Sequence, residues 1–348
     1  EICACLVGSE MCIRDRSIDS TNQGSDSTRV ASLSVTNIDK TQPTVTFGTN
    51  GSTSYKKSQS TTVTVNDASG INTLKYQWLQ SATAPAESSF TATFTSGGTI
   101  TKSDGTGNNW YLWILAKDKA GNTTIVKSNA FYLDNTAPNT TAPTATSTTN
   151  SIVVTSAQTD SNSGINASTR QYSIKKKSDS SWGSWVTDSS NTHTFTNLTL
   201  NTEYQVRTQV KDAAGNGYAI SATKAITTVN ITKPTITLST TSPTNKSITA
   251  TITYPEITGL TKQYSYDNKT WTTYTAPLTI DTNKTIYARS IDSTNQGSDS
   301  TRVASLTVTN IDKTQPIVTF ETNGSTSYKK SQSTTVTVTN AGTSTVNA

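Results

Sequence analysis

Residues 198–210 have the sequence LTLNTEYQVRTQV, in which a polar turn is followed by an alternating segment. The side chains at 204, 206, 208 and 210 are apolar or β-branched, whereas those at 205, 207 and 209 are long and polar. Successive side chains of a β-strand point to opposite faces, so this pattern predicts a strand with one face in a core and the other in solvent. Tyr204 is predicted on the core face.

Alternation of the same kind recurs along the chain. Thr61–Val65 and Ile248–Thr253 have a period of two and are rich in β-branched residues, and clusters of Asn, Asp, Gly and Ser separate such segments. No stretch sustains the 3.6-residue period of an amphipathic helix. The sequence therefore predicts an all-β fold.

A short motif, [D/N]-x-T-x-P, divides the chain into units. Its prolines are Pro43, Pro138, Pro234 and Pro316, which are 95, 96 and 82 residues apart. Units of this length can bury a core of their own, and several short strands in each predict antiparallel β-sandwiches in an extended tandem array. The predicted boundaries give the C-terminal part of a domain at 16–39, whole domains at 40–137, 138–229 and 230–312 (the first, second and third units), and the N-terminal part of another at 313–348.

Two distant segments are near copies of each other. Residues 16–66 and 289–339 differ at four of 51 positions, and the offset of 273 residues equals the distance from Pro43 to Pro316. Similarity this high indicates a recent duplication, and it predicts a repeat array longer than this chain.

The first fifteen residues differ in composition from the rest. They contain all three cysteines, Cys3, Cys5 and Cys12. They lack the basic and apolar regions of a secretory signal, and they offer too few ligands for a closed metal site. Leu6–Asp15 resembles the translation of an adaptor used in preparing DNA sequencing libraries, so residues 1–15 are predicted to be non-native.

Several motifs carry a resemblance to known families. Leu198–Tyr204 matches the L-x-P-x-T-x-Y corner of fibronectin type III domains, with Leu200 where proline is usual, so the second unit resembles that family. The first and third units resemble Ig-like repeats of bacterial surface proteins. The marks are Ser69–Ile71 and the D-x-A-G-N turn at Asp118–Asn122 in the first unit, and Trp271 and Tyr274 after Tyr264 in the third. The resemblance implies β-sandwiches, an extracellular or cell-surface location, and a hydrogen bond between the Tyr204 hydroxyl and the upstream backbone.

The D-x-A-G-N turn recurs at Asp212–Asn216. Gly121 and Gly215 are predicted to supply the positive φ of a tight turn, and the leading aspartate to accept backbone N–H groups. Calcium at the domain junctions is the alternative, but its 6–8 oxygen ligands would require an aspartate of the boundary motif to approach. The metal candidates are Asp118, Asp212, Asp39 and Asp134.

One pair of aromatic residues is a candidate ligand site. Tyr111 and Trp113 occupy alternate positions of a predicted strand, and the corresponding positions of the second unit are the polar Gln205 and Arg207. Outward-facing rings would predict binding of a glycan or a host surface protein. The alternative is that segment 81–109 folds over the rings. The exposure of Trp113 distinguishes the two.

Charge and residue inventory argue against several functions. The net charge is +5, but the lysines are scattered, which does not predict a nucleic-acid groove; weak attraction to an anionic cell-wall polymer is the charge-based alternative. The single histidine, His193, begins a predicted strand, and a hydroxyl without a positioned base is a poor nucleophile. We predict neither enzymatic activity nor, outside the calcium alternative, a cofactor.

The predicted function is mechanical. Proline restricts itself and the preceding residue, so short proline-containing links favour an extended, monomeric rod. The chain is therefore predicted to be a repeat stalk of a bacterial cell-surface or secreted protein. The alternatives are an adhesin that binds through the first unit, and an accessory region of a secreted carbohydrate-active enzyme. No membrane-spanning segment is predicted.

Overall fold

A computed structural model describes residues 3–7, 10–16, 30–340 and 342, with side chains from residue 36 onward. The chain is all-β and consists of tandem β-sandwiches. The strands Cys3–Val7 (β1), Glu10–Arg16 (β2) and Val30–Val35 (β3) form an antiparallel sheet. The cysteine side chains lie outside the described part of the chain, and the adaptor origin of residues 1–15 stays a prediction.

The first unit contains two sheets. Its strands are Thr44–Phe47 (β4), Ser52–Lys56 (β5), Gln59–Asn66 (β6), Ile71–Leu79 (β7), Ala92–Thr93 (β8), Gly98–Lys102 (β9), Gly107–Asp118 (β10), Thr123–Lys127 (β11) and Phe131–Leu133 (β12). One sheet has the order β4-β6-β9, and the other has the order β5-β12-β10-β7-β8 with β11 also paired to β10. A short 3-10 helix, Glu87–Ser89, precedes β8.

The second unit has the same two-sheet plan. Its strands are Thr144–Ser147 (β13), Ile152–Thr155 (β14), Gln171–Lys176 (β15), Val186–Thr187 (β16), Thr192–Phe195 (β17), Glu203–Val210 (β18), Ala219–Ile220 (β19) and Lys224–Thr227 (β20). The orders are β13-β14-β17 and β16-β15-β18-β19, with β20 also paired to β18. A 3-10 helix, Ala167–Thr169, precedes β15.

The third unit is followed by a hairpin. Its strands are Thr235–Leu238 (β21), Ile248–Thr253 (β22), Thr261–Ser265 (β23), Thr272–Thr273 (β24), Leu278–Ile280 (β25), Thr285–Ile291 (β26) and Ala304–Thr307 (β27), and the hairpin pairs Ile317–Phe320 (β28) with Val336–Thr339 (β29). The sheet orders are β21-β22-β25 and β24-β23-β26-β27. The pairing described here stays within each predicted unit, while the exact boundaries stay predictions.

In each sandwich, every second side chain of an alternating strand is buried, because only one face of each sheet packs against the other sheet. Val63 and Val65 of β6 pack against Leu112, Ile114 and Ala116 of β10 in the first unit. The second core is formed by Ile152, Val154, Tyr172, Tyr204 and Val206. The third is centred on Ile248, Ala250, Ile252, Ile280, Ile286 and Ala288.

Strand β10 departs from this rule because it is buried on both faces. Trp113 and Leu115 lie on the side opposite the main core, and they are 4% and 2% exposed. They form a second cluster with Phe90, which follows the 3-10 helix of the segment between β7 and β9. That segment covers the outer face of the sheet.

Strands β5 and β12, near the two ends of the first unit, pair in parallel. Ser52 N donates to Ala130 O at 2.9 Å, and Asp134 N donates to Lys56 O at 3.0 Å. The buried Gln59 side chain joins the same strands, since its Nε2 donates to Ser54 O and to the carbonyl of Tyr132. The beginning and end of the unit are therefore fastened side by side.

The buried Tyr172 makes the second unit sensitive to alkali. Its hydroxyl donates to Ser190 O at 2.8 Å, and burial raises its pKa to about 12 from about 10. The pKa is raised on folding, so this contribution to stability is complete below pH 10 and is lost as the pH rises to about 12. We expect the unit to lose roughly 2–3 kcal/mol over that interval.

Denaturant unfolding between pH 9 and 12 measures this loss, and tyrosinate absorbance follows the ionisation. Tyr172→Phe is the matched control, because it retains the ring and removes the ionisable hydroxyl. An equal alkaline loss in this variant would contradict the assignment to Tyr172.

Candidate metal centres at the unit junctions

Three aspartates from separate segments meet at the start of the first unit. Asp39 lies in the linker before β4, Asp67 follows β6, and Asp118 ends β10. One carboxylate oxygen of each lies within 4.8 Å of the others. We call this group the first aspartate cluster. The ends of three strands coincide here, which brings together residues as many as 79 positions apart.

The D-x-A-G-N turn orients Asp118, whose residue surface is 0% exposed. Asn122 donates from its backbone N to Asp118 Oδ1 at 2.8 Å and from its side-chain Nδ2 to Oδ2 at 2.7 Å. Gly121 has a φ of 98°, the positive value that this tight turn requires. Asn122 Nδ2 also donates to Asp39 O at 3.1 Å, which ties the linker to the turn.

The two other carboxylates of the cluster have one hydrogen-bonded oxygen each. Asp39 Oδ1 accepts from Thr41 N at 2.8 Å, and this bond is the main cause of the lowered pKa of Asp39. Asp67 Oδ1 accepts from the N and Oγ of Ser69. The Oδ2 atoms of Asp39 and Asp67 are shielded from solvent and have no hydrogen-bond partner.

A second aspartate cluster repeats this arrangement one unit later. It consists of Asp134 in the linker, Asp160 after β14 and Asp212 after β18, again with one oxygen of each within 4.8 Å of the others. Asp134 and Asp212 are 0% exposed. Asn216 N donates to Asp212 Oδ1 at 2.8 Å, and Asn216 Nδ2 donates to Asp134 O at 3.0 Å.

Asp134 and Asp160 are also held by the loop after β14. The N and Oγ of Ser163 donate to Asp134 Oδ2, at 3.1 and 2.6 Å. Asn162 N and Gly164 N each donate to Asp160 Oδ1 at 3.0 Å. The second cluster thus differs from the first, because Ser163 donates to the Oδ2 atom of the linker aspartate Asp134, whereas the Oδ2 atom of Asp39 has no hydrogen-bond partner.

The structure brings the four sequence candidates together in pairs, Asp39 with Asp118 and Asp134 with Asp212. Sequence analysis missed the third member of each cluster, Asp67 and Asp160. A signal for them was present, because each precedes a Ser-Gly-Ile motif, at 69–71 and at 163–165. Three carboxylates around one point, with no nitrogen or sulfur ligand, form the type of oxygen site that calcium uses.

The aromatic candidates do not form an exposed pair. Trp113 is buried, and its Nε1 donates to Ser81 O at 3.0 Å. Tyr111 is partly buried at the edge of the same cluster, with Lys127 Nζ 4.3 Å from its ring centre. Of the two alternatives for Trp113, the structure shows the covered ring, because Phe90 and the segment after β7 pack over it.

The tyrosine corner has the geometry that the resemblance implies. Tyr204 is 4% exposed, and its hydroxyl oxygen accepts from Thr199 N at 3.0 Å. Gly215, in the turn that follows β18, has a φ of 86°. Gly215 shapes the turn beside the second aspartate cluster, whereas Tyr204 lies at the other end of β18.

The tryptophans of the second and third units stack on arginines. The Arg207 guanidinium lies 4.1 Å from one ring centre of Trp182 and 4.7 Å from that of Trp185, and Arg289 lies 4.0 Å from Trp271. Such contacts stabilise a sheet surface by about 0.5–1 kcal/mol when exposed. They indicate packing on the sheet.

His193 is similarly placed among packing residues. Its ring stacks on Tyr172 at 5.3 Å and contacts Phe195 edge-on, while its Nδ1 lies 3.0 Å from Asp188 Oδ2. These contacts explain its position without a catalytic role. Within the described ranges, no helix is long and apolar enough to cross a membrane.

The chain matches no protein-family profile and no curated protein at a significant level. Among solved structures it is similar to the crystal structure of the chicken CNTN1 FN1–FN3 domains, with 14% identity over 77% of this chain and 98% of that one. The TM-score is 0.32, which is too low to support an argument about function.

Proposed function

We propose that this chain is a non-enzymatic repeat region that acts as an extended spacer in a bacterial cell-surface or secreted protein. The observation that supports the proposal is how the linkers are held. Asn122 donates to Asp39 O and Thr124 Oγ1 donates to Pro43 O at 2.7 Å, so the first linker is bonded to the unit that follows it. Asn216 holds the second linker in the same way, through Asp134 O and Thr136 O.

The third junction, which lies between the second and third units, is held by direct contact between those two units. Gln296 of the third unit donates from Nε2 to Leu198 O at 2.9 Å, and its Oε1 accepts from Leu200 N at 2.7 Å. Both partners belong to the tyrosine-corner loop of the second unit. Links fixed in these ways favour a stiff series of sandwiches over freely jointed domains.

The expected dimensions follow from strand geometry. A strand of about ten residues at ~3.3 Å each makes a unit ~35 Å long. Three units and the flanking segments in series reach on the order of 120 Å, which corresponds to a radius of gyration of about 35 Å. A compact chain of the same length would have a radius of gyration of about 20 Å.

Small-angle X-ray scattering of the purified chain tests the proposal. We expect the larger radius of gyration and a rod-like distance distribution. A control variant with ten Gly-Ser residues inserted between Thr136 and Ala137 should broaden that distribution. A radius of gyration near 20 Å for the unmodified chain would contradict the spacer function.

The location outside the cell and a monomeric state are part of the proposal, and they rest on the resemblance to bacterial surface repeats. Binding of glycans, a cell-wall polymer or a host protein is not included. The buried Trp113 removes the observation on which the adhesin alternative depended.

A further inference from the structure

We infer that the first and second aspartate clusters each bind one calcium ion, and that the third junction replaces the ion with an arginine of the chain. This inference goes beyond the spacer function, because it assigns a ligand and predicts a different response at different junctions. It rests on the electrostatics of the clusters, on two unpartnered oxygens, and on the contrast with the third junction.

The clusters concentrate negative charge without a basic partner. Three carboxylates within 4.8 Å repel one another, and the repulsion is strong where burial lowers the effective dielectric constant. The lysines, arginines and histidine that form ion pairs in the described part of the chain do so with other carboxylates. A bound cation would relieve the repulsion at both places.

The unpartnered oxygens point to a ligand independently of the charge. Asp39 Oδ2 and Asp67 Oδ2 each expose almost no surface to solvent and accept no hydrogen bond. Burial of a carboxylate oxygen without a partner is costly, so such atoms in a folded protein indicate a missing partner. These two oxygens come from different segments of one cluster, and a single ion between them would satisfy both.

The ligand set favours calcium over other metals. The clusters offer only oxygen atoms, whereas zinc and copper sites use histidine or cysteine. Three carboxylates supply between three and six oxygens, and backbone carbonyls or water can complete the 6–8 that calcium accepts in irregular geometry. Magnesium requires a nearly ideal octahedron and retains its waters, so it should bind more weakly.

The third junction lacks the same ligands. Asn230 stands at the motif position of Asp39 and Asp134, and among the described residues a group of three acids occurs only at the two earlier junctions. Arg302 reaches this place instead. Its Nη2 lies 3.4 Å from Asn230 Oδ1, and its Nε donates to Ile231 O at 3.1 Å. The same guanidinium pairs with Asp299 through Nη1 at 2.6 Å, so an arginine held by its own carboxylate fastens this linker without an ion.

Isothermal titration calorimetry with calcium chloride, on the chelator-treated chain of 348 residues, tests the inference. We expect two ions per chain, and one ion per chain for Asp67→Asn and for Asp160→Asn. The double variant should bind calcium at least tenfold more weakly than the unmodified chain at both sites. Asn retains the Oδ1 acceptor that holds each loop, and circular dichroism verifies that the variants fold.

Asp104→Asn is the matched control. Asp104 lies in the first unit, is well exposed and pairs with Lys102 outside the cluster, so this variant should bind two ions. Absence of calcium binding, a third ion, or two-ion binding by the double variant would overturn the inference. Equally tight binding of magnesium chloride would overturn the assignment to calcium. None of these outcomes depends on the overall length of the molecule.

Discussion

Replacement of Trp113 by alanine is expected to destabilise the first unit by about 3–5 kcal/mol. The ring is 4% exposed and packs with Phe90 and Leu115, so its removal leaves a cavity on the outer side of β10. The variant also leaves Ser81 O without the indole N–H that it accepts. Denaturant unfolding followed by tryptophan fluorescence and circular dichroism measures the loss.

Tyr111→Ala is the matched comparison on the same strand face. Tyr111 is partly exposed and contacts Lys127, so we expect a loss below about 2 kcal/mol. The pair also separates packing from binding. A Trp113→Ala variant as stable as the unmodified chain that lost binding to a glycan panel would show that the ring is a ligand site.

Replacement of Tyr204 by alanine is expected to cost the second unit a similar amount, about 3–5 kcal/mol. The ring fills the core beside Tyr172 and Val206, and its hydroxyl accepts from Thr199 N. Calorimetric unfolding should show a lower transition temperature for one of the units and unchanged transitions for the others, because each unit has its own core.

Tyr204→Phe separates the ring from the hydroxyl. It keeps the packing and leaves Thr199 N–H unpaired, so we expect a loss of about 0.5–1.5 kcal/mol. If the phenylalanine variant lost as much as the alanine variant, the hydrogen bond and not the packing would dominate, and the account of the corner given above would be wrong.

Local sequence patterns predicted the strands well, because alternation reports directly which face of a strand is buried. Tyr204 and Val206 are an example, since they occupy the alternating positions predicted on the core face and both lie in the second core. The same reasoning left two alternatives open for Trp113. Alternation shows which face of a strand packs against the opposing sheet. It gives no information about whether a distant segment such as 81–109 covers the other face of the strand.

The aspartate clusters show a similar limit. The boundary motif and the D-x-A-G-N turn identified two members of each cluster, because both recur at the same place in the first and second units. Asp67 and Asp160 are preceded by different residues and lie at different distances from the Ser-Gly-Ile motif. Only the meeting of three strand ends in space makes them neighbours of the linker aspartate.

The parallel pairing of β5 with β12 has a consequence for a chain under tension. A pull on the two ends of the first unit draws these strands in opposite directions along their length. The hydrogen bonds between them, together with those of Gln59, then carry the load in shear and have to break at nearly the same time. An antiparallel hairpin pulled from its open end would instead release its bonds one after another. The first unit is therefore expected to resist stretching along the direction that joins its two ends.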